Sequence, residues 1–276
     1  MLESFAFAYM QRATVAGVLI GALCAIIGVY VVLKGLAFIG AGIAHASFGG
    51  VAIGVWLGIN PIWSAIVFCI LTAWGIGLTS KKSFVKEDTA VGVFFASTMA
   101  LGILLVGLKQ GYQVDLFSYL FGSILAVTAQ DVWTTVIITA IVLTLVAWLY
   151  KDLMFITFDA EMAEVTGIPA SKLYFLLITM MALTVVMSIK VVGIILVSAL
   201  IVTPAAAAYQ LTEKFRNLMA LAVVFGVGSC VFGLILSDLL GIASGATIVL
   251  LSTATFFFCA AISPRRRRAK SASQAK

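Results

Sequence analysis

Apolar stretches of roughly twenty residues follow one another along this chain, separated by brief polar breaks. About twenty helical residues rise about 30 Å, the thickness of a bilayer's hydrocarbon core. The stretches are Ala13–Leu33, Leu36–Leu57, Ile62–Leu78, Thr89–Leu108, Val132–Tyr150, Leu173–Ile189, Val191–Tyr209, Leu218–Leu240 and Ala246–Ile262. The pattern predicts an all-α integral membrane protein with eight to nine transmembrane helices. Residues 1–263 form its membrane domain, and residues 264–276 form a basic, disordered tail. The segment 1–12 is too short to span and is expected at the membrane interface.

The polar breaks set the expected topology. Lys34-Gly35 makes a tight connection, and Gly58-Ile59-Asn60-Pro61 is a turn. Lys81, Lys82 and Lys86 mark the loop from Ser80 to Asp88 as cytoplasmic. Small residues in the fourth span, Gly92, Ala96, Ser97, Ala100 and Gly102, predict close helix packing. Leu116–Val127 is apolar but too short to cross upright, so it is expected to be re-entrant or interfacial. Lys151–Lys172 is a long polar connection on the cytoplasmic side. Within it Asp159 is placed to cap a short helix that Gly167 and Pro169 end. Counting crossings gives nine with the N-terminus outside; merging one early span gives eight.

Composition agrees with the pattern. The chain of 276 residues is 63% hydrophobic and only 10% charged, against about 25% charged in soluble domains. A net charge of +6 does not indicate nucleic acid, because Arg265, Arg266, Arg267, Arg268 and Lys270 sit together in the tail beside anionic headgroups. The four cysteines, Cys24, Cys69, Cys230 and Cys259, lack any CxxC spacing. They read as small buried hydrophobes rather than a zinc or redox site. No GxxxxGK[ST] run occurs, so the chain carries no phosphate-binding loop of its own.

Polar residues inside the spans are the candidate chemistry. His45 is the only histidine, set among Gly40, Ala41, Gly42, Ala44, Ala46, Ser47, Gly49 and Gly50. An ionisable group in a span usually faces a bundle interior or a polar path. His45 is therefore a metal ligand or gate, or else a histidine that fixes helix packing. Asp238 lies near the outer end of the eighth span, either a second ligand or a solvated terminal carboxylate. Ser47, Ser198 and Thr203 are candidate path-lining groups. Ser198, Thr203 and Pro204 are expected to interrupt the seventh span. Asp115 and Asp131 read as outer-surface charges, and the five tryptophans as aromatic belts.

Six segments, in order, resemble the ABC-3 family, the membrane permeases of ABC importers for zinc, manganese and iron(II). They are FIGAGIAHASFGGVAIG at 38–54, EDTAVGVFF at 87–95, YLFGSIL at 119–125, FDAEMAEVTGI at 158–168, VGIILVSALIVTPAAAA at 192–208 and SGATIVLLS at 244–252. The resemblance implies the helical fold of type II importers, the vitamin B12 and siderophore kind. It implies a homodimer in a prokaryotic plasma membrane, working with a cytoplasmic ATP-binding subunit and an extracytoplasmic metal-binding protein. It implies no permanently bound cofactor, but a divalent metal cargo, zinc or manganese foremost, moved by alternating access. Asp159, Glu161, Ala163 and Gly167 would couple the permease to the ATPase through residues 158–168. Relatives often carry an aspartate four residues before the histidine. Here that position is Ala41, so only His45 is carried over as a ligand.

Two other functions compete. A stand-alone secondary transporter needs coupling-ion carboxylates within spans, and Asp238 is the sole candidate. An intramembrane serine protease would use Ser244-Gly245 with His45, but the local sequence is GIASG rather than GxSG.

Overall fold

The computed structural model describes residues 8–82, 85–108, 122 and 127–263. Most of the apolar segment 116–127, Asp115 and the tail 264–276 lie outside the described residues. Among the described residues the elements are all helices: α1 (Ala8–Lys34), α2 (Ala37–Leu57), α3 (Pro61–Lys82), α4 (Glu87–Leu108), α5 (Ala129–Trp148), α6 (Tyr150–Phe158), α7 (Ala160–Val165), α8 (Ala170–Val192), α9 (Ile194–Leu211), α10 (Phe215–Leu240) and α11 (Ser244–Ile262). Eight of them, α1 to α5, α8, α10 and α11, are long and apolar enough to cross a membrane. The ninth, α9, is shorter, about 27 Å over its 18 residues.

Side-chain contacts fix which helix ends lie together. At one end, Lys34 Nζ donates to the Ile156 carbonyl at 2.6 Å, Lys81 Nζ donates to Ser171 Oγ at 2.9 Å, and the Tyr174 hydroxyl donates to Glu87 Oε1 at 2.8 Å. The Phe215 ring packs there on Tyr30, Tyr150 and Phe158. This is the lysine-bearing, cytoplasmic end. At the other end Tyr9 meets Asp238. Helix α8 starts at the cytoplasmic end and α10 starts there too. Helix α9 then runs from the outer end back inward, so the described helices make nine passes, with the start of α1 at the outer end.

Two expectations need correction. Residues 8–12 are not separate from the first span but form the first turns of α1, with Met10 fully buried. The span is longer because the polar groups Tyr9, Gln11 and Arg12 do not break a helix that is apolar on every other turn. Pro204 does not interrupt α9 either; the helix continues through it to Leu211. A proline removes one backbone donor, and the neighbours α1, α2, α8, α10 and α11 hold the helix in place. The cytoplasmic connection is also more helical than its charge implies, because only Leu149 separates the end of α5 from the start of α6.

Close packing rests on glycine. A Cβ on Gly21 would lie 2.7 Å from the Gly226 carbonyl oxygen, and one on Gly50 would lie 2.7 Å from Ala65 Cα. Helices α1 and α10, and α2 and α3, thus meet backbone to backbone, as small residues in membrane helices allow. On α4 the expectation holds for Gly102, which fits against Phe48 and Gly49. It fails for Gly92, Ala96, Ser97 and Ala100, which face outward in the single chain. Helix α4 buries only Ala90, Val91, Thr98 and Gly102.

Candidate functional site: the His45 helix and the cytoplasmic docking elements

Helix α2 is the most enclosed of the candidate path helices, packed against α3, α4, α8 and α9. His45 is half-buried on it. Its Nδ1 lies 2.9 Å from the Ala41 carbonyl oxygen one turn earlier. A carbonyl oxygen only accepts, so Nδ1 carries the proton, and in the neutral ring Nε2 keeps its lone pair. Metal-binding histidines are commonly oriented in this way, one ring nitrogen bonded to a carbonyl and the other free for a cation. The side chain of Ala41 contributes no ligand, but its backbone orients the imidazole. Phe95 of α4 covers the ring, with centroids 4.6 Å apart and planes at 58°.

The other candidates do not converge on His45. Ser47 is fully buried and bonds to the Ala44 carbonyl of its own helix. Thr203 Oγ1 likewise donates to the Ala199 carbonyl at 2.5 Å, and Ser198 is half-buried on the same helix α9. Helix α9 does pack against α2, so these groups stand on a neighbour of the His45 helix. Asp238 is half-buried near the outer end of α10, with the Tyr9 hydroxyl 3.5 Å from Oδ1. Its helix packs on α1, α9 and α11. Among the described residues no group of three or more His, Cys, Asp or Glu side chains could hold a metal. Asp131, at the outer end of α5, forms a reciprocal capping box with Thr128.

The cytoplasmic elements match their local expectations closely. Asp159 is extended, and its Oδ1 accepts from the Met162 amide at 2.8 Å, capping α7. The helix stops at Gly167, whose φ is +87°, and the Ile168 amide reaches back to the Ala163 carbonyl at 2.9 Å. Ala163 is fully buried, the one side chain of α7 turned inward. Phe158, Met162 and Val165 are exposed, Val165 by 81%, beside the exposed carboxylates Glu161 and Glu164. Apolar side chains left bare at the water-facing end of a membrane protein mark a contact surface.

Sequence reasoning missed the residues that tie this surface to the helices. Lys81 bonds Ser171 and lies 4.9 Å over the Tyr174 ring and 5.4 Å over that of Phe175. Tyr174 in turn holds Glu87 at the start of α4. Glu87 and Phe95 both lay inside the EDTAVGVFF segment; what the sequence lacked was their partners, 87 and 50 positions away.

Comparison with known proteins then decides the class. A model of the ABC 3 transport family matches residues 6–263. The chain belongs to the ABC 3 transport family. A manganese transport system membrane protein, MntC, from Halalkalibacterium halodurans is 39% identical over 264 residues, covering 96% of this chain and 90% of that protein. The solved structure of PsaBC from Streptococcus pneumoniae in complex with Fab superposes with a TM-score of 0.88 at 33% identity, covering 98% of this chain and 99% of that one. An inward-facing structure classed with the metal-chelate type of ABC transporter superposes with a TM-score of 0.73 at 15% identity, over 90% of this chain and 84% of that one, a likeness of fold alone. This ABC 3 family chain is thus a multi-pass membrane permease, as its helix pattern predicted, with the fold of metal-chelate type transporters, as the family resemblance implied.

Proposed function

We propose that this permease carries a divalent transition metal ion inward across the plasma membrane, manganese first among the candidates, as the membrane subunit of an ABC importer. The reading rests on His45: a lone imidazole inside a span, oriented through Nδ1 with Nε2 left for a cation. Imidazole suits several transition metals, so manganese is favoured over zinc by the 39% identity to MntC. A single histidine is a weak site, which suits an ion that must be released. The metal is cargo, and no permanently bound cofactor is part of this reading.

The partners follow from the two ends. The exposed Phe158, Met162 and Val165 with Glu161 and Glu164 are where a cytoplasmic ATP-binding subunit docks, coupling through Asp159, Glu161, Ala163 and Gly167. An extracytoplasmic metal-binding protein delivers at the outer end. The outward face of α4, with Gly92, Ala96 and Ala100 one turn apart, has the small-residue spacing of a helix packing face. It supports a homodimer whose metal path runs beside α4 and α2, with Ser47, Ser198 and Thr203 near it. Alternating access then exposes His45 to one side at a time. A stand-alone secondary transporter finds less support, because Asp238 sits with Tyr9 at the outer edge of α10.

The test is uptake of manganese, zinc and iron(II) in competition, in cells lacking the native gene and carrying wild type or His45→Ala. Wild type should restore manganese uptake, and His45→Ala should lower it at least about tenfold, the loss of one imidazole–metal contact. Normal uptake by the variant at limiting metal would remove His45 from the path.

A further inference from the structure

The hydrogen bond between Tyr174 and Glu87 joins the start of α8 to the start of α4. Tyr174 is buried in the first turns of α8, five residues after Pro169 and so directly behind the docking helix α7. Glu87 is the first residue of α4 and half-buried. Its Oε1 accepts a hydrogen bond from the Tyr174 hydroxyl at 2.8 Å, and the carboxylate lies within electrostatic reach of Lys34, which itself donates to the Ile156 carbonyl of α6. Hydrogen bonds to a charged acceptor are about twice as strong as neutral ones. From residue 87 to residue 95, α4 rises about 12 Å as a rigid rod and delivers Phe95 onto His45 at 4.6 Å. Helix α4 packs along its length on α2, with Val91 against Gly42 and Gly102 against Phe48, while Glu87 ties its first turn to α8.

We propose that Tyr174 and Glu87 form the latch through which α8 and the docking helix hold α4, and with it Phe95, over His45. The latch rests on the reading of His45 as a path residue, but its own geometry is separate from it. When α7 and α8 are displaced by a docked partner, the bond carries α4 with them and slides the Phe95 ring off or onto the imidazole. Lys81 keeps Tyr174 in place from α3, bonding Ser171 and covering the ring face. Tyr174 and Glu87 are positioning residues, acting on the path through Phe95.

Two measurements test it on the full chain in lipid. Tyr174→Phe keeps the ring and its contact with Lys81 and removes only the hydroxyl. Spin labels at the exposed positions Leu101 on α4, off the Gly92–Ala96–Ala100 stripe, and Lys172 on α8, in samples diluted with unlabelled chain, should give one narrow distance distribution in wild type and a broad one in Tyr174→Phe. An equally narrow distribution in the variant overturns the latch, whatever the cargo proves to be. In the assembled importer, Tyr174→Phe should lower metal moved per ATP hydrolysed by about tenfold, the effect of one hydrogen bond to a charged group. Glu87→Gln keeps an acceptor oxygen and should lose less, and the double variant should be no worse than Tyr174→Phe alone. An unchanged transport-to-ATP ratio, or losses that simply multiply in the double variant, also overturns the latch. Failure of wild type to move any metal would instead sink the proposed function and leave the label distances to decide the latch.

Discussion

At the scale of single residues, Asp159 and His45 each bond a backbone group within about one turn of their own position. Asp159 was legible in the sequence because an N-cap acts within its own turn: a short polar side chain three positions before an amide it can accept from. His45 was legible as an oddity but not as an oriented imidazole, since its Nδ1 bond to Ala41 depends on the ring's rotamer. Phe95 was not legible at all as a cover for His45, because that contact requires knowing how α4 lies on α2. The cap carries a prediction. Asp159→Ala leaves the Met162 amide without its acceptor at an exposed helix start and should cost about 1 kcal/mol of local helix stability. Faster amide hydrogen exchange confined to 160–166, with unchanged exchange in α2 and α10, is the expected result. Asp159→Asn, which retains an acceptor, should restore most of the protection.

Helices were the most legible level, and their mutual approach the least. Each span is announced by twenty apolar residues, and its ends by Lys34-Gly35, Asn60-Pro61 or Gly241, all of which the structure uses as breaks. Which glycines make backbone contacts is another matter. Gly226 of α10 and Gly92 of α4 look alike in sequence, yet a Cβ on Gly226 would lie 2.5 Å from the Gly21 carbonyl oxygen and 2.9 Å from Ala25 Cβ, while one on Gly92 meets open space. The difference is set by which helix lies opposite, information that is non-local. Gly226→Ala should therefore force α1 and α10 apart and cost on the order of 1–3 kcal/mol, the usual penalty of overpacking. Gly92→Ala should be neutral for the folded single chain. Thermal unfolding of the two purified variants in the same detergent compares them directly, and a Gly226→Ala midpoint equal to wild type would contradict the backbone contact.

For the whole molecule, the uneven burial of the helices is the informative feature. Helices α1, α2 and α8 are enclosed on most sides, whereas α4 turns Gly92, Val93, Ala96, Ser97 and Ala100 outward. Lipid contact would equally accept large side chains on such a face, so the small-residue spacing at 92, 96 and 100 has a meaning only if another helix comes close there. The homodimer proposed above supplies that helix, and a two-fold interface would bring the same stripe of each copy together. Ala96, central and exposed, is the residue to change. Ala96→Leu adds bulk that lipid tolerates and a close helix pair does not. The variant should fold with the unfolding midpoint of wild type but run as a single copy in detergent, with wild type expected to run as two, by multi-angle light scattering of the protein component. Because His45 and Phe95 lie on the α2–α4 seam next to this stripe, losing the pair should also lower metal uptake. A variant that stays dimeric would move the interface off α4, and one that becomes monomeric with full uptake would show that the path is complete within one chain.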